Sequence, residues 1–335
     1  MYTNSLKTLF VSSVAGVVAL SSGANAIAEE SPCDTQEVAC ITIAEAMQGG
    51  SDRTDLREFW DGAVEFAHTA EIDVNERFPP NWRFFFDPDL PGKGQCDKNI
   101  NAASSHRFKH FRLNPEADPA FIYTTFMIHE PRHAEQKMNG AFLDAYKMDA
   151  NIPEEERVVM AAFLEADARA YTIWGAYRLR DKIPGYWEAF GQRVDYKEGV
   201  EVFESSAPNE TMPDAERMAA AWGDIVMFYM KDDYRLVSAI RKVQRHIENG
   251  RITPYNEAMP EDTLFSPQAL DVIRALGDNT IPGANLYPDD VIEEIIIAFS
   301  GQDYKSAMVV YEDAQANNRP FCSVLPEQYM SMRNE

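Results

Sequence analysis

Apolar residues along this chain recur at helical rather than strand spacing. From Thr54 to Ile72, a stripe of Leu56, Phe59, Trp60, Ala63, Phe66 and Ala67 keeps the 3.6-residue period and predicts an amphipathic helix. The prolines at 79 and 80 break it, and Trp82 to Phe86 is the best strand candidate. Asp118-Pro119 pairs an N-cap with a proline at the first helical position, starting a helix that should run to about Asn139 and stop at Gly140. Pro153 and the acidic run Glu154 to Glu156 open another helix, lasting to about Lys182. Its acidic first turn and its basic Arg178, Arg180 and Lys182 end both complement the helix dipole. Ser205 to Pro213 is polar and contains proline, the best internal boundary. Beyond it, Asp214 to Asn249 reads as a long helical stretch, followed by shorter helices near Pro267–Leu276 and Pro288–Phe299 and one more to about Ala316. The expected fold is mainly α with a small extended element after residue 80.

The first thirty residues follow a different rule. Lys7 supplies a short basic region, Leu9 to Leu20 carries no charge, and Ala24-Asn25-Ala26 and Ala26-Ile27-Ala28 are competing small-residue cleavage signals. This is the pattern of a secretory signal peptide, and the run is too short to span a bilayer, which takes roughly 20 apolar residues. The expected organisation is therefore a signal at 1–26, a helical domain at 27–205, and a helical C-terminal region at 206–335 packed on the same body. A periplasmic or secreted location suits the four cysteines, Cys33, Cys40, Cys96 and Cys322, which read as disulfide staples. A single regular helix would hold the Cα atoms of Cys33 and Cys40 about 10.5 Å apart, too far to bridge. That pairing thus needs an irregular segment before Thr35, and long-range pairs through Cys96 or Cys322 stand beside it. The net charge of −23 weighs against nucleic acid or an anionic membrane surface as partner, since like charges repel.

One segment carries chemistry: His129-Glu130-Pro131-Arg132-His133, continued by Ala134-Glu135-Gln136. On a helix, residues four apart share a face, so both imidazoles can offer a nitrogen to one ion, and Glu130 stands beside the first. This H-E-x-x-H pattern needs a third ligand and an open position for water. Glu165, set among Ala161, Ala162, Ala166, Ala168 and Ala170, is the strongest candidate, because a carboxylate in such an apolar stretch is costly to bury unless paired or bound to metal. The bland alternative is an i,i+4 ion pair with Arg169 on a solvated face.

H-E-x-x-H-A-x-Q followed by E-A-D-A resembles the gluzincin-type zinc metallopeptidases, and most closely an uncharacterised bacterial metallopeptidase-like family. The resemblance spans about Ala120 to Arg180. It implies a helical zincin-like domain, Zn2+ held by His129, His133 and Glu165, Glu130 as general base, and a peptide or protein substrate. Tyr146, Tyr171, Tyr177 and His246 are candidate donors to a developing oxyanion, and Asp144, Asp149 or Asp167 could orient a ligand imidazole. Pro131 departs from the pattern. It removes the bond from residue 131 to Met127 and either kinks the helix or restarts it, and a restart would move His129 off the shared face.

Two other readings compete. Glu65-x-x-His68 and Glu130-x-x-His133 share the E-x-x-H spacing of di-iron carboxylate bundles, with Glu165 and Glu216 to complete the set. A non-catalytic helical export protein with a degenerate metal site is the other. His106 and His110 are also four apart, but Arg107 and Lys109 between them favour a solvated face.

Overall fold

The computed structural model describes residues 31–317 except 36–37, 51, 74–77, 91–100, 106–108, 139–152, 194, 207–210, 232, 251, 253–266, 279, 282–283 and 299–300. The signal segment, Cys96, Cys322, His106, Asp144, Tyr146 and Asp149 lie outside the described residues.

Strand β1 (Ile41–Thr42) leads directly into helix α1 (Ile43–Met47), where Thr42 and Glu45 form a reciprocal capping box. Helix α2 (Thr54–Thr69) buries the predicted stripe. Three short strands follow, β2 (Arg83–Phe86), β3 (Ala102–Ser105) and β4 (His110–Leu113). They join β1 in one sheet of order β1-β2-β4-β3, with β2 and β4 parallel and the outer pairs antiparallel. Helix α3 (Pro119–Thr124) starts at Asp118, whose carboxylate accepts the Ala120 N–H at 2.9 Å. It runs without a break through a π-helical turn, Thr125–His129, into α4 (Glu130–Met138).

Helix α5 (Glu154–Leu179) is buried along nearly its whole length and all round, which marks it as the central helix rather than an amphipathic surface one. Next come α6 (Tyr186–Gly191), α7 (Lys197–Ser206), α8 (Asp214–Lys231) and α9 (Asp233–Glu248). The last three are α10 (Pro267–Asp278), α11 (Asp289–Ala298) and α12 (Gly301–Ala316). Helices α8 and α9 pack on α5, and α12 packs on α9. One contiguous apolar core runs from Ile41 to Tyr311, so the C-terminal helices share it. The fold is mainly helical with a small sheet, as the periodicity predicts. No described helix is long and apolar enough to cross a membrane.

The sheet is larger than its sequence suggests. Strands of two to four residues are too short for alternation to register, so only β2 stands out in the sequence. Phe84 and Phe111 face each other across β2 and β4 and pack with Trp60, Phe78 and Phe126, tying the sheet to the π-helical turn. His110, expected on a solvated face, instead lies buried at the start of β4, 3.1 Å from the Ser31 hydroxyl. Lys109 is exposed in the turn just before the strand, with φ +52°, so its exposure does not report that of His110. Cys33 and Cys40 form a disulfide with Cα atoms 5.6 Å apart. The non-helical turn over 32–35 permits the approach that a regular helix would forbid.

Candidate metal centre

The candidate site depends on what the chain does around Pro131. A regular helix would lose the bond to the Met127 carbonyl and press the proline ring against it. Here the preceding turn is widened instead: the Glu130 N–H reaches the Thr125 carbonyl, five residues back. Pro131, which has no N–H to donate, follows directly as the second residue of α4. Four consecutive side chains in the wide turn, Phe126 to His129, are buried. Gly175 of α5 lets this turn approach closely, since a Cβ there would stand 2.6 Å from Ile128 Cδ1. The helix neither breaks nor restarts, and His129 and His133 remain together, their ring centroids 4.9 Å apart.

Glu165 of α5 faces this pair. Its carboxylate oxygens lie 3.6 Å from His129 Nε2 and 3.4 Å from His133 Nε2. One ligand atom from each of the three residues falls within 4.8 Å of the others. Glu165 keeps about a quarter of its side chain exposed, whereas both histidines are buried, so the cluster opens to solvent from the carboxylate side.

The other nitrogen of each ring decides its tautomer. The Thr172 hydroxyl donates to the Ala168 carbonyl at 2.7 Å, leaving its oxygen to accept from His129 Nδ1 at 3.1 Å. His133 Nδ1 lies 2.8 Å from Gln136 Oε1, an acceptor, so it carries the proton there. In the neutral rings both Nε2 atoms therefore turn lone pairs toward the Glu165 carboxylate. Three acceptors converging on one point repel each other unless a proton or a cation stands between them, and two imidazoles with one carboxylate suit zinc. The residues present fit the ion.

Electrostatics agree with that donor set. Burial opposes ionisation of Glu165, but the His133 hydrogen bond and the charges of His129, His133 and Arg169 outweigh it and hold the carboxyl well below its usual range. Burial likewise disfavours a charged His133, yet the Glu165 hydrogen bond and the negative charges of Glu165 and Glu130 raise its pKa. A metal cation would displace that proton, coupling binding to proton release. Glu130 is buried beside the histidines and acts on His133 through its charge, but contributes no atom to the three-residue cluster.

The Glu165–Arg169 pair exists, at 3.3 Å, but not on a solvated face. The Arg169 guanidinium is mostly buried, donates to the Asp195 carbonyl and stacks on Tyr196, 5.0 Å from its ring centre. Tyr196 also lies close to Thr172, beside His129. Among the sequence candidates for a donor, Tyr171 lies under the Arg132 guanidinium, Tyr177 is engaged by Asp214 and Arg217, and His246 ends α9 half-buried. Of the candidate orienting acids, Asp167 is near the site but reaches His133 only through Gln136. Glu65, His68 and Glu216, required by the di-iron reading, are exposed and stand outside the cluster.

Thr172 and Tyr196 are absent from the sequence reading, which quotes Gln136 only as the end of the motif and gives it no role. Thr172 lies two helical turns after Glu165 and Gln136 three residues after His133, so helical spacing alone could have drawn attention to both. Tyr196 has no comparable signal. No family model, curated protein or solved structure matches the chain.

Proposed function

We propose that this chain is an exported zinc-dependent metallopeptidase. The observation that carries the proposal is the convergence of His129 Nε2, His133 Nε2 and the Glu165 carboxylate, with both Nδ1 atoms engaged elsewhere. The likeness of H-E-x-x-H-A-x-Q and E-A-D-A to gluzincin-type metallopeptidases supports it, as does the leader-like N-terminus.

Bound there, the ion supplies Lewis-acid polarisation of a scissile carbonyl and acidifies a water toward a pKa of about 7. The chain's own residues do the rest. Thr172 and Gln136 hold each ring's proton on Nδ1, which leaves Nε2 to ligate, and Arg169 favours an ionised Glu165. Glu130, adjacent in sequence to one ligand and outside the ligand set, takes the proton from the attacking water and delivers it to the leaving amine.

Glu130→Gln separates binding from chemistry. The variant should retain zinc and lose hydrolysis of an unfolded protein such as denatured casein by at least ~100-fold. A variant that cleaves as fast as the wild type would refute the base role.

A further inference from the structure

Gln136 is an unusual partner for a ligand histidine, because an amide can present either end. Its orientation here is dictated from outside the metal centre. The Gln136 Nε2 group donates to the Leu164 carbonyl at 2.8 Å and to Asp167 Oδ2 at 2.7 Å, both pure acceptors. The amide oxygen is left to face His133, and a flipped amide would set an oxygen against two acceptors.

The chain of hydrogen bonds continues beyond Asp167. Tyr287 donates its hydroxyl to Asp167 Oδ1 at 2.7 Å, and its oxygen accepts from the Trp222 indole N–H at 2.8 Å. An indole can only donate, so the direction of every bond is fixed, from Trp222 to Tyr287 to Asp167 at one end and from Gln136 to Asp167 at the other. Arg132 fills the remaining positions on the carboxylate, at 2.7 and 2.9 Å. Each of these side chains is buried. Trp222 belongs to α8, and Tyr287 lies in the segment between α10 and α11.

We infer that Gln136 and Asp167, anchored by Tyr287 and Trp222 of the C-terminal region, form a positioning relay that fixes the tautomer and ring orientation of His133. The region after residue 205 is thereby part of the metal centre, although none of its described residues joins the three-residue cluster. Orienting partners of this kind commonly alter metal affinity by 10- to 100-fold when removed. The inference rests on the zinc reading above, and the test keeps the two apart.

The test is a double-mutant cycle on zinc affinity, read by competition with a chromogenic chelator on the folded mature protein. Gln136→Met should weaken zinc binding ~10- to 100-fold. Tyr287→Phe removes one hydroxyl and should weaken it several-fold in the wild-type background, but have no further effect when Gln136 is already Met. Thermal unfolding of each metal-free variant is measured alongside, because a purely structural role would lower stability and leave zinc affinity unmoved. Equal losses from Tyr287→Phe in both backgrounds, or no loss from Gln136→Met, would overturn the relay. Should Tyr287→Phe fail to fold, Gln136→Met alone decides. A wild-type protein that binds no zinc instead overturns the underlying site.

Discussion

At the scale of single residues, Asp167 shows what burial demands of a charge. Its carboxylate and the Arg132 guanidinium are both fully buried, bonded to each other twice, with Gln136 and Tyr287 supplying further donors. Such a pair is weak evidence for stability, but removing one partner strands the other charge without water. Asp167→Asn should therefore destabilise the protein by about 3–5 kcal/mol in urea unfolding, and a loss below about 1 kcal/mol would contradict this account. The three converging residues themselves were legible in the sequence because helical spacing and an acid in an alanine-rich run are local facts. Asp167 was legible as a candidate but not in its mode of action, since its contact with Tyr287 joins residues 120 positions apart.

At the scale of elements, the π-helical turn and α5 are fitted to each other. Periodicity located both helices, and Asp118 and Pro153 marked their starts where the structure has them. It did not reveal the wide turn, because a single extra residue per turn over five residues is invisible against the 3.6-residue period. Pro131 was the one warning, and its consequence is a widened turn that keeps the histidines together. Gly175 is the contact on which this depends. Gly175→Ala would drive a Cβ to within 2.6 and 2.8 Å of Ile128 side-chain atoms in a fully buried interface. We expect a loss of about 1–3 kcal/mol in thermal or urea unfolding, with weakened zinc binding because Ile128 adjoins His129. An unchanged unfolding midpoint would show that the turn is not held by this packing.

At the scale of the whole molecule, the sheet links the N-terminal segment to the body through His110 and Ser31 and through Arg83 and Asp34, 2.7 Å apart. Burial, reinforced by Arg112 and Arg83, pushes the His110 pKa from 6.5 down to about 4, while Asp34 and Asp87 oppose the shift. A histidine depressed in the folded state gives up stability as pH falls: the unfolded chain binds the proton below pH 6.5, the folded one only near 4. The contribution is intact above pH 6.5 and drains away between 6.5 and 4, at most about 1.4 kcal/mol per pH unit. Replacing His110 by Asn should flatten that part of the stability–pH curve, measured by denaturant titration at several pH values. The mainly helical class was legible because most of the core is built from helical stripes; of the sheet, only β2 was, since the strands are short and pair across long sequence distances. The most direct test of the proposed zinc centre is the metal content of the purified mature protein, wild type against His133→Ala. One zinc per wild-type chain and none in the variant is the predicted result; equal zinc in both, or none in either, would contradict it.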